Sequence, residues 1–264
     1  MRVNRVFQDI GLAVVAAMIS GAAFAAGNAG AASTSISLVV PSYFDATRSA
    51  ANWDSLAASA RRVPTIAILN PNSGPGTSAD ASYVAAIAKL RAAGGKVIGY
   101  VSTSYAKRAL SAVVADINMY VSLYNVDGFF IDEMTSDSQT SHVQYYQSIY
   151  NYIKGLKSTY TVTGNPGTNI PEVYASLPTA DQFVVFEDSA KNYARFQPMS
   201  WQKAYPTNRF VHIVYNASAA QLPGFLGYAK SHGAGGVYVT SLSAANPYRA
   251  LPAYWNDEVA DVSP

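Results

Sequence analysis

The stretch VDGFFIDE, residues 126–133, has the pattern of a buried strand that ends in reactive side chains. Its apolar centre fits a parallel sheet, because the strands of such a sheet are covered by helices on both faces. Two carboxylates, Asp132 and Glu133, follow the apolar run directly. Side chains alternate along a strand, so Asp132 shares a face with Gly128 and Phe130, while Glu133 is out of phase with it. The stretch therefore predicts a strand whose carboxyl end carries an acidic site.

Runs of this kind recur along the chain at spacings of roughly 25 to 35 residues, and amphipathic stretches separate most of them, as in βα units. The eight predicted strands are Ile36–Val40, Thr65–Leu69, Val97–Tyr100, Gly128–Ile131, Thr161–Gly164, Gln182–Phe186, Phe210–Val214 and Gly236–Val239. Eight parallel strands predict a single (β/α)8 TIM barrel, an α/β fold. A doubly wound open sheet is the alternative, because the sequence does not show whether the first and last strands meet.

Helices are predicted between several of these strands. Hydrophobic periodicity indicates helices at Ser82–Ala93, Ser111–Leu123 and His142–Lys157, and two glycines after the first of them supply a stop signal. The segment Asn165–Thr179 contains three prolines, so we expect only a short helix or an irregular crossover there.

Composition limits the chemistry that the chain can perform. It has 264 residues, of which 50% are hydrophobic and 13% charged, and a formal net charge of +2, which favours one globular domain and argues against nucleic acid as a partner. The absence of cysteine excludes thiolate catalysis and cysteine-ligated metals. The three histidines lack the spacing of a zinc site. We therefore expect no metal and no organic cofactor.

The N-terminus has the order of features of a secretory signal peptide. Two arginines precede the apolar run Gly11–Ala26, and small residues suited to cleavage lie at Ala25 and Ala32. The sequence thus predicts a signal peptide at 1–32, a barrel domain at 33–264, and a secreted or periplasmic protein with no stable membrane insertion after cleavage. An uncleaved N-terminal anchor is the alternative.

Acidic residues also end the sixth predicted strand, where Glu187 follows the run FVVF. In a TIM barrel the carboxyl ends of the strands form the active face, so we expect Asp132, Glu133 and Glu187 to be catalytic. Carboxylates about 5–5.5 Å apart suit a retaining glycosidase and about 6.5–9.5 Å an inverting one. Structural roles are the alternatives: helix capping or pairing with Arg108 for the first two, and pairing with Lys191 or Arg195 for Glu187.

Polar and aromatic residues follow the other predicted strands. Such residues suit a polyhydroxylated substrate, which needs many hydrogen bonds and an apolar surface for each sugar ring. The predicted substrate-binding residues are Tyr43, Asn70, Asn72, Tyr100, Ser104, Tyr105, Asn165 and Tyr215. The Gly-rich run Asn70–Gly76 lacks the Gly-Lys-Ser/Thr ending of a phosphate loop, so we expect a rigid wall of the site. No histidine near a strand end could serve a serine nucleophile.

Several of these segments, in the same order, resemble the spherulin 4-like family. The segments that carry the resemblance are Ile68–Gly76, Val97–Tyr105, Val126–Glu133, Asn165–Thr168 and Phe186–Glu187. The resemblance spans from about Leu38 to the last strand, nearly the whole mature chain. It implies a relationship to fungal glycoside hydrolases of family 135, (β/α)8 enzymes that cut galactosaminogalactan, an α-1,4-linked exopolysaccharide containing galactose and N-acetylgalactosamine.

By this resemblance, the family's acidic pair falls on Asp132 and Glu133, and its strand-six glutamate falls on Glu187. Asp188 is not part of the matched motif. We therefore expect a monomeric, secreted endo-acting hydrolase of a polysaccharide that contains α-1,4-linked N-acetylgalactosamine or galactosamine. A catalytically silent carbohydrate-binding or spore- or cyst-coat protein is the alternative, and so is a barrel hydrolase of another class.

Overall fold

Eight parallel strands form one closed barrel, with neighbours in chain order, in a computed structural model that describes residues 36–243 and 246–263. The strands are β1 Ser37–Ser42, β2 Thr65–Leu69, β3 Lys96–Ser102, β4 Gly128–Asp132, β5 Thr161–Gly164, β6 Gln182–Ser189, β7 Phe210–Tyr215 and β8 Gly236–Val239. Pairing of Ser37 with Gly236 and of Leu38 with Val237 joins β1 to β8. This pairing confirms the TIM barrel and excludes the open sheet.

Helices surround the barrel. They are α1 Ala50–Ala60, α2 Ala81–Ala92, α3 Leu110–Tyr124, α4 Thr140–Leu156, α5 Glu172–Ser176, α6 Ala190–Tyr193, α7 Leu222–Ser231 and α8 Trp255–Val262, with 3-10 turns at Ser200–Ala204, Thr207–Arg209 and Ala219–Gln221. The three predicted helices correspond to α2, α3 and α4, and their ends lie within two residues of the predicted ones. The proline-rich crossover after β5 contains only the five-residue α5.

Local signals explain where α2 and α3 begin and end. The Asp80 carboxylate caps α2 by accepting a hydrogen bond from the backbone N–H of Ser82 at 2.8 Å. After α2 the chain turns through Gly94, whose φ of +94° is a conformation that glycine adopts without strain. The last turn of α3 ends at Asn125, which is left-handed with φ 47°.

Two glycines allow β3, β4 and their neighbours to approach closely. A Cβ on Gly99 would lie 2.7 Å from the Tyr120 ring of α3, and one on Gly128 would lie 2.1 Å from the Thr161 carbonyl of β5. Neither position therefore has room for a side chain. The glycine of the stretch VDGFFIDE is needed to bring β4 against β5, and this sets the position of Asp132 relative to the residues that follow β5.

Two aspartates complete the hydrogen bonding at the amino ends of the strands. The Oδ2 of Asp127 accepts a hydrogen bond from the Val97 N–H at 2.8 Å, and the Oδ2 of Asp181 accepts one from the Val162 N–H at 2.8 Å. These bonds provide acceptors for two backbone N–H groups at the end of the barrel opposite the acidic site. Asp127, although it belongs to the stretch that ends in Asp132, is thus a structural residue.

The β6 strand departs from simple alternation, because its register against β7 shifts between Val184 and Phe186. Strict alternation would place Phe183, Val185 and Glu187 on one face of the strand, and the register shift interrupts that alternation. Within 36–243 and 246–263, no helix combines the length and the apolar character that a membrane span requires. The predicted signal peptide at 1–32 lies outside the described residues.

Candidate active site

The centre of the barrel mouth is a pair of carboxylates joined by one amide. Asp132 ends β4, Asn165 follows β5, and Glu187 lies near the end of β6. The Asn165 Nδ2 donates to Asp132 Oδ1 at 2.7 Å and to Glu187 Oε2 at 2.6 Å. Asn165 is 7% exposed, so this contact is shielded from solvent. Side chains from three consecutive strands therefore meet in one hydrogen-bonded unit.

The shared donor limits how far apart the two carboxylates can be. The accepting oxygens, Asp132 Oδ1 and Glu187 Oε2, lie at most 5.3 Å apart, the sum of 2.7 and 2.6 Å. Carboxyl groups of retaining glycosidases are about 5–5.5 Å apart, whereas those of inverting enzymes are separated by about 6.5–9.5 Å to admit a water molecule. These two oxygens therefore lie closer together than the carboxyl groups of an inverting pair do.

Burial gives both carboxyls a raised pKa. For Asp132, burial raises the pKa, and hydrogen bonds from the Tyr100 hydroxyl, the Glu133 N–H and Asn165 oppose the rise. For Glu187, burial and the negative charge of Asp132 raise the pKa, while Tyr248 and Asn165 oppose it. Like charges in a shielded site favour one protonated and one ionised group. Asp132 accepts three hydrogen bonds that stabilise its ionised form, whereas Glu187 accepts two.

Three tyrosines surround the pair. The Tyr248 hydroxyl donates to Glu187 Oε1 at 2.5 Å. The Tyr43 ring packs edge-on against Tyr100 and Tyr248, with ring centroids 5.7 and 5.5 Å away. Burial and the nearby acids raise the pKa of all three phenols, so each stays a neutral hydrogen-bond donor. The structure thus brings the predicted residues Tyr43 and Tyr100 to the acid pair.

Glu133 lies beside the pair but has different partners. Its Oε2 accepts from the Ser102 hydroxyl, from the Ser104 N–H at 3.2 Å and from the Ser104 hydroxyl at 3.4 Å. Its backbone is left-handed with φ 52°, which is uncommon for a residue other than glycine. This conformation turns the side chain toward the loop after β3, consistent with the expected difference in phase from Asp132.

The other predicted binding residues lie at the same end of the barrel but not all at the pair. Tyr215 donates to Asp188 Oδ1 at 3.0 Å, next to Glu187 in sequence. The Asn70 Oδ1 accepts from the Gly74 N–H at 2.8 Å, so this oxygen stiffens its own loop. Asn72 and Tyr105 are exposed, and Ser104 contacts Glu133 as above.

The alternative structural roles for the acids are not observed. Arg108 forms its ion pair with Asp116 of α3 at 2.6 Å. In the part of the chain that the structure describes, no ion pair joins Glu187 to Lys191 or Arg195. The three acids therefore face hydroxyl and amide donors at the mouth.

One residue of the site was missing from the sequence prediction. Tyr248 lies nine positions after the last residue of β8, so a search of the residues directly after each strand overlooks it. A signal was present: the dipeptide Asn246-Pro247 is typical of a turn, and the Asn246 Oδ1 accepts from the Tyr248 N–H at 2.9 Å. Among residues 36–243 and 246–263, no cluster of three or more histidine or acidic side chains has metal-site geometry.

The chain is similar in sequence to a known protein family and to one of its members. The model of spherulation-specific family 4 matches residues 37–262. Spherulin-4 of Physarum polycephalum is 36% identical over 239 residues, which are 86% of this chain and 70% of that protein.

Solved structures share the fold. Sph3 of Aspergillus clavatus, crystallised in complex with GalNAc, has a TM-score of 0.75 and 24% identity, over 86% of this chain and 97% of that one. A GH18 chitinase from Pseudoalteromonas aurantia has a TM-score of 0.55 and 14% identity, over 86% and 99% of the respective chains. At these identities the likeness shows a shared fold.

Proposed function

The chain belongs to spherulation-specific family 4, and from its acid pair we propose that it is a retaining glycoside hydrolase. The observation that carries the proposal is the single Asn165 amide that donates to both Asp132 and Glu187. A protein that only bound or coated carbohydrate would not need two carboxylates held together at the cost of mutual repulsion. A retaining glycosidase does need them, one as nucleophile and one as acid and base.

We assign the nucleophile to Asp132. In the first step its carboxylate attacks the anomeric carbon while Glu187 protonates the glycosidic oxygen, so the glycosidic bond breaks and a covalent glycosyl-enzyme ester forms. In the second step Glu187 takes a proton from water, the water oxygen attacks the anomeric carbon, and the ester bond to Asp132 breaks. Each carboxyl ends in its starting protonation state.

The hydrogen bonds support this order of roles. Asp132 accepts from Tyr100, from the Glu133 N–H and from Asn165, and all three stabilise its ionised form. Glu187 has two donors, and the charge of Asp132 raises its pKa, which favours the protonated form that a general acid requires. The charge on Asp132 thus helps to keep the proton on Glu187.

We propose that the substrate is an endo-cleaved polysaccharide with α-1,4-linked N-acetylgalactosamine or galactosamine units. Support comes from family membership and from the GalNAc complex of the similarly folded Aspergillus Sph3. An α-linked N-acetylgalactosaminide carries its acetamido group on the same side as the leaving oxygen, so this group cannot attack from the opposite face. An enzyme carboxylate is therefore required, and Asp132 supplies it. The substrate-binding roles of Tyr43, Tyr100, Tyr105 and Tyr215 belong to the same proposal.

We further propose that the protein acts outside the cytoplasm as a monomer, with residues 1–32 removed and without metal or organic cofactor. The charge and apolar pattern of the N-terminus supports export. The mass of the secreted protein tests it, because a mass that includes Arg2 would identify an anchor instead. Activity that EDTA abolishes and a divalent ion restores would contradict the absence of a metal.

The proposed activity is tested by the release of reducing ends. The protein is incubated with a panel of defined polysaccharides that includes galactosaminogalactan, chitin and an α-glucan. We expect new reducing ends from galactosaminogalactan, and in the Asp132→Asn variant we expect none. If no polymer is cleaved while galactosaminogalactan still binds, the chain is a carbohydrate-binding protein and the hydrolase proposal is wrong.

A further inference from the structure

Left-handed backbone is concentrated in one place beside the acid pair. Four non-glycine residues have positive φ in a single hydrogen-bonded unit: Ser104 at 47°, Tyr105 at 56°, Ala106 at 61° and Glu133 at 52°. Residues with a Cβ avoid this region, and three in succession are rarer still. Such strain persists only where surrounding contacts enforce it, and it is concentrated at functional sites.

Glu133 provides most of those contacts. Its carboxylate accepts from the side chain of Ser102 and from both the N–H and the hydroxyl of Ser104. Its carbonyl oxygen accepts from the Tyr105 N–H at 2.8 Å and from the Thr103 hydroxyl at 2.9 Å. The backbone bond to Tyr105 ties the middle of the left-handed turn directly to the residue after Asp132. Glu133 therefore fixes the loop after β3 relative to the nucleophile.

The turn exposes one aromatic ring. Tyr105 is 54% exposed, more than any other large hydrophobic residue in the part of the chain that the structure describes. By contrast, Tyr248 is buried and Tyr43 is half-buried, and their rings pack edge-on against each other beside the acids. A ring needs an open face to stack on a sugar. In the loop after β3, at the mouth of the barrel, Tyr105 has such an exposed surface.

From these contacts we infer that Glu133 is a positioning residue, and that Tyr105 is a stacking surface for a sugar ring next to the one that is cleaved. The inference rests on the proposed glycosidase function and names a subsite of it. The Glu133 carboxylate holds Ser104, Tyr105 and Ala106 in the left-handed turn. The turn places the Tyr105 ring at the rim, where the ring binds a pyranose of the extended chain through its apolar face.

The test uses α-1,4-linked N-acetylgalactosamine oligosaccharides of increasing length. For Tyr105→Ala we expect KM to rise about tenfold on long oligosaccharides, with kcat falling less than about threefold, since stacking on one ring contributes about that much affinity. Tyr105→Phe, which keeps the ring, should have a KM close to that of the unaltered protein. The shortest substrate should not distinguish the variants, because it does not reach the second ring.

Glu133 is tested by comparing two substitutions at that position. Glu133→Ala removes the acceptor and should reproduce the rise in KM, and adding Tyr105→Ala should increase it no further. Glu133→Gln keeps an acceptor oxygen for Ser102 and Ser104 and should recover most of the loss. If Glu133→Gln loses kcat as severely as Glu133→Ala, then Glu133 takes part in the chemistry and the inference is wrong. Glu172→Ala, which removes an exposed carboxylate that accepts a hydrogen bond from the Tyr205 hydroxyl, is the control.

Two controls separate this inference from the function on which it rests. Binding of the same oligosaccharides is measured by calorimetry in an Asp132→Asn background, so the contribution of Tyr105 is seen even without cleavage. Cleavage by the unaltered protein with no effect of Tyr105→Ala on KM or binding would overturn the inference alone. A crystal structure of Glu133→Ala should show residues 104–106 leaving the left-handed region, and an unchanged turn would also overturn it.

Discussion

Asp132 and Glu187 accept hydrogen bonds from the same nitrogen atom, the Nδ2 of Asn165, at 2.7 and 2.6 Å. Both acids are partly buried, and burial raises the pKa of each carboxyl. One amide therefore sets the spacing of the pair and offsets part of the repulsion between its members.

Removing either carboxylate should abolish turnover without unfolding the protein. We expect Asp132→Asn and Glu187→Gln each to slow hydrolysis by at least about 10²–10⁴-fold, the typical contribution of a general acid or base. Both substitutions keep the side-chain shape, so polysaccharide binding should persist. Initial rates and binding isotherms provide the measurement, with Glu172→Gln as a surface control. Substantial turnover by either variant would rule out a paired mechanism.

Azide rescue distinguishes the two roles. In Asp132→Gly, azide can occupy the space of the missing nucleophile, and we expect it to restore cleavage and give a glycosyl azide of inverted configuration. At position 187 the corresponding variant should lack this product. Rescue at 187 alone would reverse the assignment of nucleophile and acid.

The same burial should make Glu187 destabilising at neutral pH. The folded-state pKa of Glu187 lies above its unfolded value. The favourable contribution of Glu187 to the free energy of unfolding is therefore complete below the unfolded pKa and is lost as the pH rises through the folded pKa. Each pKa unit of that difference is worth about 1.4 kcal/mol. We therefore expect Glu187→Gln to melt at a higher temperature than the unaltered protein at pH 8, with a smaller gain at pH 4. An equal difference in Tm at both pH values would contradict the raised pKa.

Asn165 should control the pH dependence of the reaction. Its hydrogen bonds lower the pKa of both acids, so Asn165→Leu should raise both values and move the bell-shaped profile of kcat/KM to higher pH. The rate at the optimum should also fall, because the two carboxylates lose the amide that donates a hydrogen bond to both of them. A pH series of initial rates measures both effects. A lower rate with an unshifted profile would mean that Asn165 acts only on folding or binding.

His212 should make the fold sensitive to acid. It is fully buried in β7, its Nδ1 contacts the Tyr193 hydroxyl at 2.8 Å, and burial lowers its pKa to about 3, with a smaller effect from His232. The unfolded chain binds a proton near pH 6.5 that the folded protein does not, so stability falls by up to about 1.4 kcal/mol per pH unit below that value. Urea unfolding between pH 7 and pH 4 should show a shallower loss for His212→Gln. Equal slopes would contradict this role.

The sequence predicted most of the barrel because each strand is a short apolar run with its own ends. Three of the eight strands, among them Thr65–Leu69, have the predicted bounds, and the others begin or end within a few residues of them. The closure of β1 onto β8 was a prediction from the number of strands alone. The register shift in β6 had no visible signal, since Val184 and Phe186 are both apolar and either phase suits a buried strand.

The site was less accessible to sequence reasoning, because its contacts join residues that are far apart in the chain. Asp132, Asn165 and Glu187 were each identified at a strand end, but the sequence did not show that Asn165 would bridge the acids. Tyr248 was missed because its partner Glu187 is 61 residues away and its loop extends beyond the last strand. Asn70 was expected at the substrate, yet its Oδ1 is used within its own loop.

The most direct test of the paired-carboxylate account is the configuration of the first product. A galactosaminogalactan digest is followed by proton NMR during the first minutes, before the new reducing ends mutarotate. If Asp132 and Glu187 act as a retaining pair, the anomeric signal that appears first is that of the α-anomer, and the β-anomer grows in later. Initial release of the β-anomer would mean direct attack by water across a wider pair and would contradict the mechanism proposed for this site.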